Sequence, residues 1–356
     1  MITVTKPFLP PFEEYSRYLS EIWQRNWLTN NGPCVQQLEE QLKNFLHVNH
    51  LIYVNNGTIA LQIALKAMGA TGEVITTPFS YVATTNSLLW EGCKPVFADI
   101  KNTDCNIDPE KIIPLISKKT TAILATHVYG NPCDTYAIEK IGKDHGLKVL
   151  YDGAHAFGTM YKNKPLLSYG DISTCSFHAT KLFHTVEGGA IITNDDELSK
   201  KMILYRQFGH IGDEYFSIGI NGKSSELHAA MGLCLLPRLN EFIEKRKSIA
   251  ASYDKFLKDL PLQRPVAMDG TEYNFSYYPV ITDSEERVLC IQALLQKNDI
   301  GTRRYFYPSL NHLPQYHGED CPVSESISPR VLALPVYHEL AVDDVERIAD
   351  LIKTCF

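Results

Sequence analysis

Between Leu51 and Asn194 the chain alternates short, unbroken apolar runs with longer stretches in which apolar residues recur every three to four positions. Unbroken runs of four or five fit strands covered on both faces, and the longer period fits helices lying on a sheet. The pattern predicts a strand over LIYV (51–54), a turn at NNGT (55–58) and a helix over 59–69 that stops at Gly69. EVITT (73–77) reads as the next strand, 81–92 as a short helix, and PVFAD (95–99) and TAILATHVYG (121–130) as further strands. A helix over Thr135–His145 precedes a strand over 147–151 that delivers Asp152 at its carboxyl end. STCSF (173–177) and GAIITN (189–194) flank a loop containing Lys181. These alternations predict an α/β sheet with covering helices.

Beyond Leu198 the character changes. The stretch to Lys247 is helix-rich, with an interruption near Pro237, and a boundary is expected at 247–260. Smaller elements follow: FSYYPVIT (275–282), a helix over 286–299 and a last helix from Val342. The expected division is a large domain over 1–247 and a smaller α+β domain over 248–356.

Composition narrows the functional classes. A net charge of −7 argues against nucleic-acid or anionic-membrane partners, although a local site can still hold a phosphate. Nine scattered cysteines, an odd number, do not read as a disulfide framework and fit a reducing cytoplasm. Cys133 and Cys175 have no partners at metal-ligand spacing, so both read as structural and no metal is expected. No stretch reads as a signal peptide or a membrane span.

Four positions carry candidate chemistry. In VNNGTIAL (54–61) a strand ends, Gly57 permits a tight approach and a helix begins at Thr58, where free N–H groups suit a phosphate. Taken alone, an ordinary N-cap at Asn56 or Thr58 is the commoner explanation. Asp152 at a strand end is costly to bury without a partner, and a protonated ring nitrogen is one; a turn cap is the other. Tyr81 could stack on a planar ring or sit in a core. Lys181 is a surface charge by default, yet it has His178 and His184 three residues to either side, Ser176 before it and Gly188–Gly189 behind it. Read in order, a phosphate site, an aromatic, a strand-end acid and a lysine match what pyridoxal phosphate requires.

The same segments carry a family resemblance over nearly the whole chain. WLTNNGPCVQQLEEQL (27–42), NGTIAL (56–61), TTPFSYVAT (76–84), YDGAHAFG (151–158), SFHATK (176–181) with EGGA (187–190), and NGKSSELHAAMG (221–232) stand in family order, followed by YFYPSLNHLPQY (305–316) and ISPRVLALPVYHEL (327–340). They resemble the DegT/DnrJ/EryC1/StrS sugar aminotransferases. The resemblance implies the pyridoxal-phosphate transferase fold type I, with a mixed, mostly parallel sheet.

It also implies roles. Lys181 would bind the cofactor covalently and shuttle the proton, Asp152 would pair with the ring nitrogen, and Gly57, Thr58 and Ser176 would hold the phosphate. Tyr81 would stack on the ring, and His155 would contact the ring oxygen or be simply packed. Asn221 would reach the phosphate in the other subunit of a homodimer. The sequence departs from a common family pattern at His155, where many members have Gln, and at Gly153, where many have Ala.

In a dehydratase branch of the family a histidine replaces the lysine, so Lys181 implies transamination. His178 belongs to a pattern seen in members acting at C4 of the sugar. The implied donor is L-glutamate, with glutamine as the lesser option and Arg206 and Arg303 as alternatives for its carboxylate. The implied acceptor is a nucleotide-linked 4-keto-6-deoxy sugar, dTDP-linked by preference and UDP-linked as the alternative. A catalytically idle binding protein of the same fold is the other class of reading.

Overall fold

The computed structural model describes residues 1–356. Seven strands build the central sheet: β1 His50–Val54, β2 Glu73–Thr76, β3 Lys94–Phe97, β4 Thr120–Thr126, β5 Lys148–Asp152, β6 Ile172–Ser176 and β7 Gly189–Thr193. Their spatial order is β1-β7-β6-β5-β4-β2-β3. The pairs from β6 across to β3 are parallel, and β7 runs against both of its neighbours. One reversed strand in seven therefore leaves the carboxyl ends of the other six at a single edge. That edge is where open α/β sheets bind ligands.

The register puts chemistry along this edge. Asp152, at the end of β5, pairs with Thr126 on β4 and with Thr174 on β6. Helix α1 (Phe12–Arg25) and helix α2 (Pro33–Leu46) precede the sheet, and α3 (Gly57–Met68) follows β1. The turn expected at 55–58 is half cap and half helix. Asn56 is extended, and its side chain accepts from Ile59 N–H, so the helix begins at Gly57. α4 (Val82–Trp90) starts just after Tyr81, and α5 (Thr135–His145) is capped by Asp134.

α6 (Asp196–Arg206) follows the last strand of the sheet. α7 (Glu226–Leu235) then ends in a single tight turn at Leu236–Arg238, and α8 runs from Leu239 to Leu257. Pro237 is the interruption that the sequence predicts. Leu239 and Phe242 of α8 join the core under the sheet, whereas Ile249, Ala250, Tyr253 and Leu257 join a second core. That second core is closed by the antiparallel pair β8 (Tyr278–Ile281) and β9 (Val331–Leu334) with helices α9 (Glu285–Lys297) and α10 (Val342–Lys353). We propose that the division expected at 247 runs through α8, which belongs to both cores. No helix is long and apolar enough to cross a membrane.

Candidate active site

A cavity of about 410 Å³ opens at the carboxyl edge of the sheet. Its lining includes Gly57, Thr58, Tyr81, Asp152, His155, Ser176, His178 and Lys181, all singled out from the sequence. They come from the ends of different elements: Gly57 and Thr58 from the start of α3, Tyr81 from the start of α4, Asp152 from β5 and Ser176 from β6. Asn221 does not line this cavity. It is exposed, its carbonyl accepts from Asn55 Nδ2 at 3.4 Å, and its Oδ1 accepts from Lys223 Nζ at 2.8 Å.

Asp152 is 5% exposed, and each of its oxygens accepts one hydrogen bond, which leaves lone pairs free on the cavity side. Its Oδ1 accepts the Ala154 N–H at 3.0 Å and its Oδ2 accepts the Thr84 hydroxyl at 2.7 Å. Burial pushes its pKa up; the Thr84 hydroxyl, the Ala154 N–H and the Lys181 charge oppose that rise. A carboxylate can only accept, so Thr84 must donate to it. The hydroxyl of Ser80, 2.7 Å from that of Thr84, must then donate to Thr84, and Thr126 donates to Ser80 at 3.1 Å. The result is a chain of three hydroxyls polarised toward one buried acid.

Lys181 Nζ lies 3.5 Å from the Tyr277 hydroxyl. His155 stacks on Phe306, with ring centres 5.6 Å apart and planes at 5°, and its buried Nδ1 has no protein partner. Burial, with Lys181 nearby, drives its pKa well below the usual value, so the ring is neutral. His178 Nδ1 accepts the Thr180 N–H at 3.2 Å, which places its proton on Nε2, 3.5 Å from Glu187 Oε1. His184 is outside the cavity. Its Nε2 donates to Phe8 O at 2.9 Å and its Nδ1 accepts from Val186 N–H at 3.2 Å, tying the N-terminal segment to the lysine loop.

The two arginines separate. Arg303 lines the cavity. Arg206 does not: it is 5% exposed and bonded to Glu39 and to the carbonyl of Tyr53, the next-to-last residue of β1. Its ion pair with Glu39 holds it outside the cavity, so of the two arginines Arg303 alone lines the wall. Sequence reasoning missed Thr84, Ser80, Thr126, Glu187, Tyr277, Tyr305 and Phe306. The first two lie inside the quoted TTPFSYVAT, so the signal was present. Tyr277 gave none, because its place depends on packing against the distant side chains Phe79, Tyr129 and Phe306.

These residues fit pyridoxal phosphate. Asn56 takes up the N–H groups of Ile59 and Ala60, so those of Gly57 and Thr58 are the orphan donors of the helix start. A Cβ at Gly57 would meet Ser176 Cβ at 2.9 Å, so only glycine lets backbone and Ser176 close around an anion there. The buried acid for the ring nitrogen, the lysine amine and the unpartnered His155 Nδ1 complete the donor set.

Comparison with known proteins agrees with this chemistry. A dTDP-4-amino-4,6-dideoxy-D-glucose transaminase of Shigella dysenteriae is 44% identical, covering 99% of this chain and 98% of its own. One of the same name from Escherichia coli is 43% identical, covering 99% and 98%. Among solved structures, DesI in the presence of its TDP-sugar product superposes with a TM-score of 0.95 at 33% identity, covering 99% of this chain and 92% of that one. Helicobacter pylori PseC, an aminotransferase involved in the biosynthesis of pseudoaminic acid, gives 0.92 at 32% identity, covering 100% and 99%. The family model matches residues 12–353, and the chain belongs to the DegT/DnrJ/EryC1/StrS aminotransferase family, whose enzymes depend on pyridoxal phosphate.

Proposed function

We propose that the protein moves an amino group from L-glutamate to C4 of dTDP-4-dehydro-6-deoxy-D-glucose, giving dTDP-4-amino-4,6-dideoxy-D-glucose. The observation that carries the reaction type is the meeting of Lys181, Asp152 and the Gly57–Thr58 helix start in one cavity. The choice of sugar rests on likeness to the two transaminases, 44% and 43% identical over nearly full length.

When bound, pyridoxal phosphate supplies an electron sink for the carbanion left when a proton is removed. The chain's own groups do the rest. Asp152 holds a proton on the ring nitrogen, and Gly57, Thr58 and Ser176 anchor the phosphate through N–H and hydroxyl donors. Tyr81, half exposed at the cavity wall, would hold the ring by stacking. Lys181 takes the proton from Cα of the donor and returns one to C4 of the sugar. His178, held by Thr180 and facing Glu187, orients Lys181 or the sugar at the cavity mouth. Arg303 meets the donor's carboxylate, which otherwise has no fixed cation among the lining residues except Lys181.

The protein acts as a homodimer in which Asn221 reaches the partner's phosphate site. Support comes from the segment around it, where Phe208, Ile211, Tyr215, Phe216 and Ile218 are exposed apolar side chains awaiting cover. A cytoplasmic setting is proposed from the free thiols and the nucleotide-linked substrate. A UDP-linked sugar is the second reading. It is favoured by a Helicobacter pylori UDP-4-amino-4,6-dideoxy-N-acetyl-beta-L-altrosamine transaminase, 33% identical over 97% of the chain. The test is a panel of dTDP-, UDP- and GDP-linked 4-keto-6-deoxy sugars with glutamate, products read by mass spectrometry and NMR. Turnover confined to UDP or GDP sugars rejects the dTDP reading.

A further inference from the structure

We propose that Cys290 and Cys355 form a reversible disulfide that staples the tail just after α10 onto α9, outside the cavity lining. Their sulfurs lie 2.7 Å apart although 65 positions separate them in sequence. A covalent S–S bond of about 2.05 Å then asks the sulfurs to close by only about 0.7 Å.

The placement is held by a neighbour. Arg287 stands one helical turn before Cys290 on the same face of α9. Its guanidinium donates to the Cys355 carbonyl and lies 4.4 Å from the centre of the Phe356 ring. One side chain thus fixes the tail beside Cys290 and places positive charge near both sulfurs.

Exposure makes the pair selective. The other cysteines, at 34, 93, 105, 133, 175, 234 and 321, are all buried, whereas Cys290 is exposed and Cys355 half-buried. Burial, then the hydrogen bond and charge of Cys290, push the Cys355 thiol up to about 12, with Arg287 opposing. Cys290 therefore meets the oxidant first and Cys355 resolves.

The oxidant is a low-molecular-weight disulfide such as oxidised glutathione. Cys290 loses its proton to solvent and its thiolate attacks one sulfur of it, forming a mixed disulfide and releasing one glutathione thiolate, which is protonated. Cys355 then loses its proton to solvent and attacks the Cys290 sulfur, releasing the second glutathione thiolate, which is protonated. The two protein thiols are oxidised by two electrons, and one glutathione disulfide is reduced to two thiols.

The test treats the full, cofactor-loaded protein with oxidised glutathione and maps it without reduction. Trypsin cuts after Arg287, Lys297 and Lys353, so the two cysteines fall on separate peptides, Val288–Lys297 and one starting at Thr354. The expected product is these two peptides joined. The link disappears with dithiothreitol and is absent in Cys290→Ser and in Cys355→Ser. Oxidised protein should also melt about 4 °C or more above reduced protein, a difference that both serine variants lose. The proposal is overturned if Cys290 carries only glutathione while Cys355 stays a free thiol, if both remain free, or if oxidation leaves the melting temperature unchanged.

Discussion

The Thr84 hydroxyl donates to Asp152 Oδ2 at 2.7 Å, the shortest link holding the buried acid at the centre of the cavity. Its direction is forced, because an ionised carboxylate has no proton to give. Thr84 is a positioning residue: it acts through Asp152. Thr84→Val should lower kcat about 10- to 100-fold, the size expected from a lost hydrogen bond to a charged group. Burial already holds the Asp152 pKa above its usual value, and Thr84 opposes this. Removing the donor lifts that pKa further, so the acid limb of the rate profile should move to higher pH. Thr84→Ser should restore both. A Val variant with an unmoved pH profile would leave Thr84 merely a packing residue.

Lys181→Ala should abolish covalent retention of the cofactor after borohydride treatment, read as loss of the added mass on the Lys181 peptide. Turnover should fall about 10²- to 10⁴-fold with the proton carrier gone. Full turnover in this variant would assign the proton transfer to another group.

Arg303 and Lys181 are the only Lys or Arg side chains lining the cavity. Arg303→Ala should raise KM for glutamate about 10- to 100-fold, as loss of a charge-assisted bond predicts, with a smaller change for the sugar. An increase confined to the sugar would move Arg303 to the nucleotide side.

Asn221 stands outside its own chain's cavity, so its proposed role needs a second subunit. Asn221→Ala and Lys181→Ala should each be impaired as homodimers. Refolded together in equal amounts, they should recover about a quarter of wild-type activity, because half of the dimers then hold one complete site. No recovery on mixing argues that the sites are not shared.

His127 gives a prediction about stability. It is buried against Tyr151, with ring centres 4.6 Å apart; its Nδ1 accepts from Cys133 N–H at 3.1 Å, and its Nε2 has no partner. Burial lowers its pKa from 6.5 to about 3. Between those values the unfolded chain binds the proton that the folded one refuses, so stability falls as pH drops below about 6.5. The loss between pH 7.5 and pH 5 should be about 2 kcal/mol. Urea titrations at both values should show His127→Gln losing about that much less than wild type; an unchanged difference would place the titrating group elsewhere.

Much of the sheet was legible because its strands are short apolar runs punctuated by turn residues. The strand expected at 147–151 forms at Lys148–Asp152, and the helix expected at 59–69 forms at Gly57–Met68. The early helix start was missed because Asn56 was only one of two possible caps until its side chain was seen accepting from Ile59. The amphipathic α1 was not anticipated, and although the family resemblance implied a mixed sheet, nothing marked β7 as the strand that reverses. Reversal in particular leaves no local trace, since a strand buried on both faces reads the same in either direction.

The sequence by itself determined the identities and order of these cavity-lining groups: Gly57, Thr58, Tyr81, Asp152, Ser176 and Lys181 each sit at or within a few residues of a strand end, and strand ends are visible in apolar pattern. Tertiary structure alone decided what surrounds them. It polarised Thr126, Ser80 and Thr84 toward Asp152, brought Tyr277, just before β8, and Arg303, bridged to Ala333 of β9, to the cavity, and sent Arg206 to Glu39. It also laid Cys290 against Cys355. Local sequence records a residue's own backbone preference and period; it carries no record of which distant side chain will fill its last hydrogen bond, because that choice is made by packing.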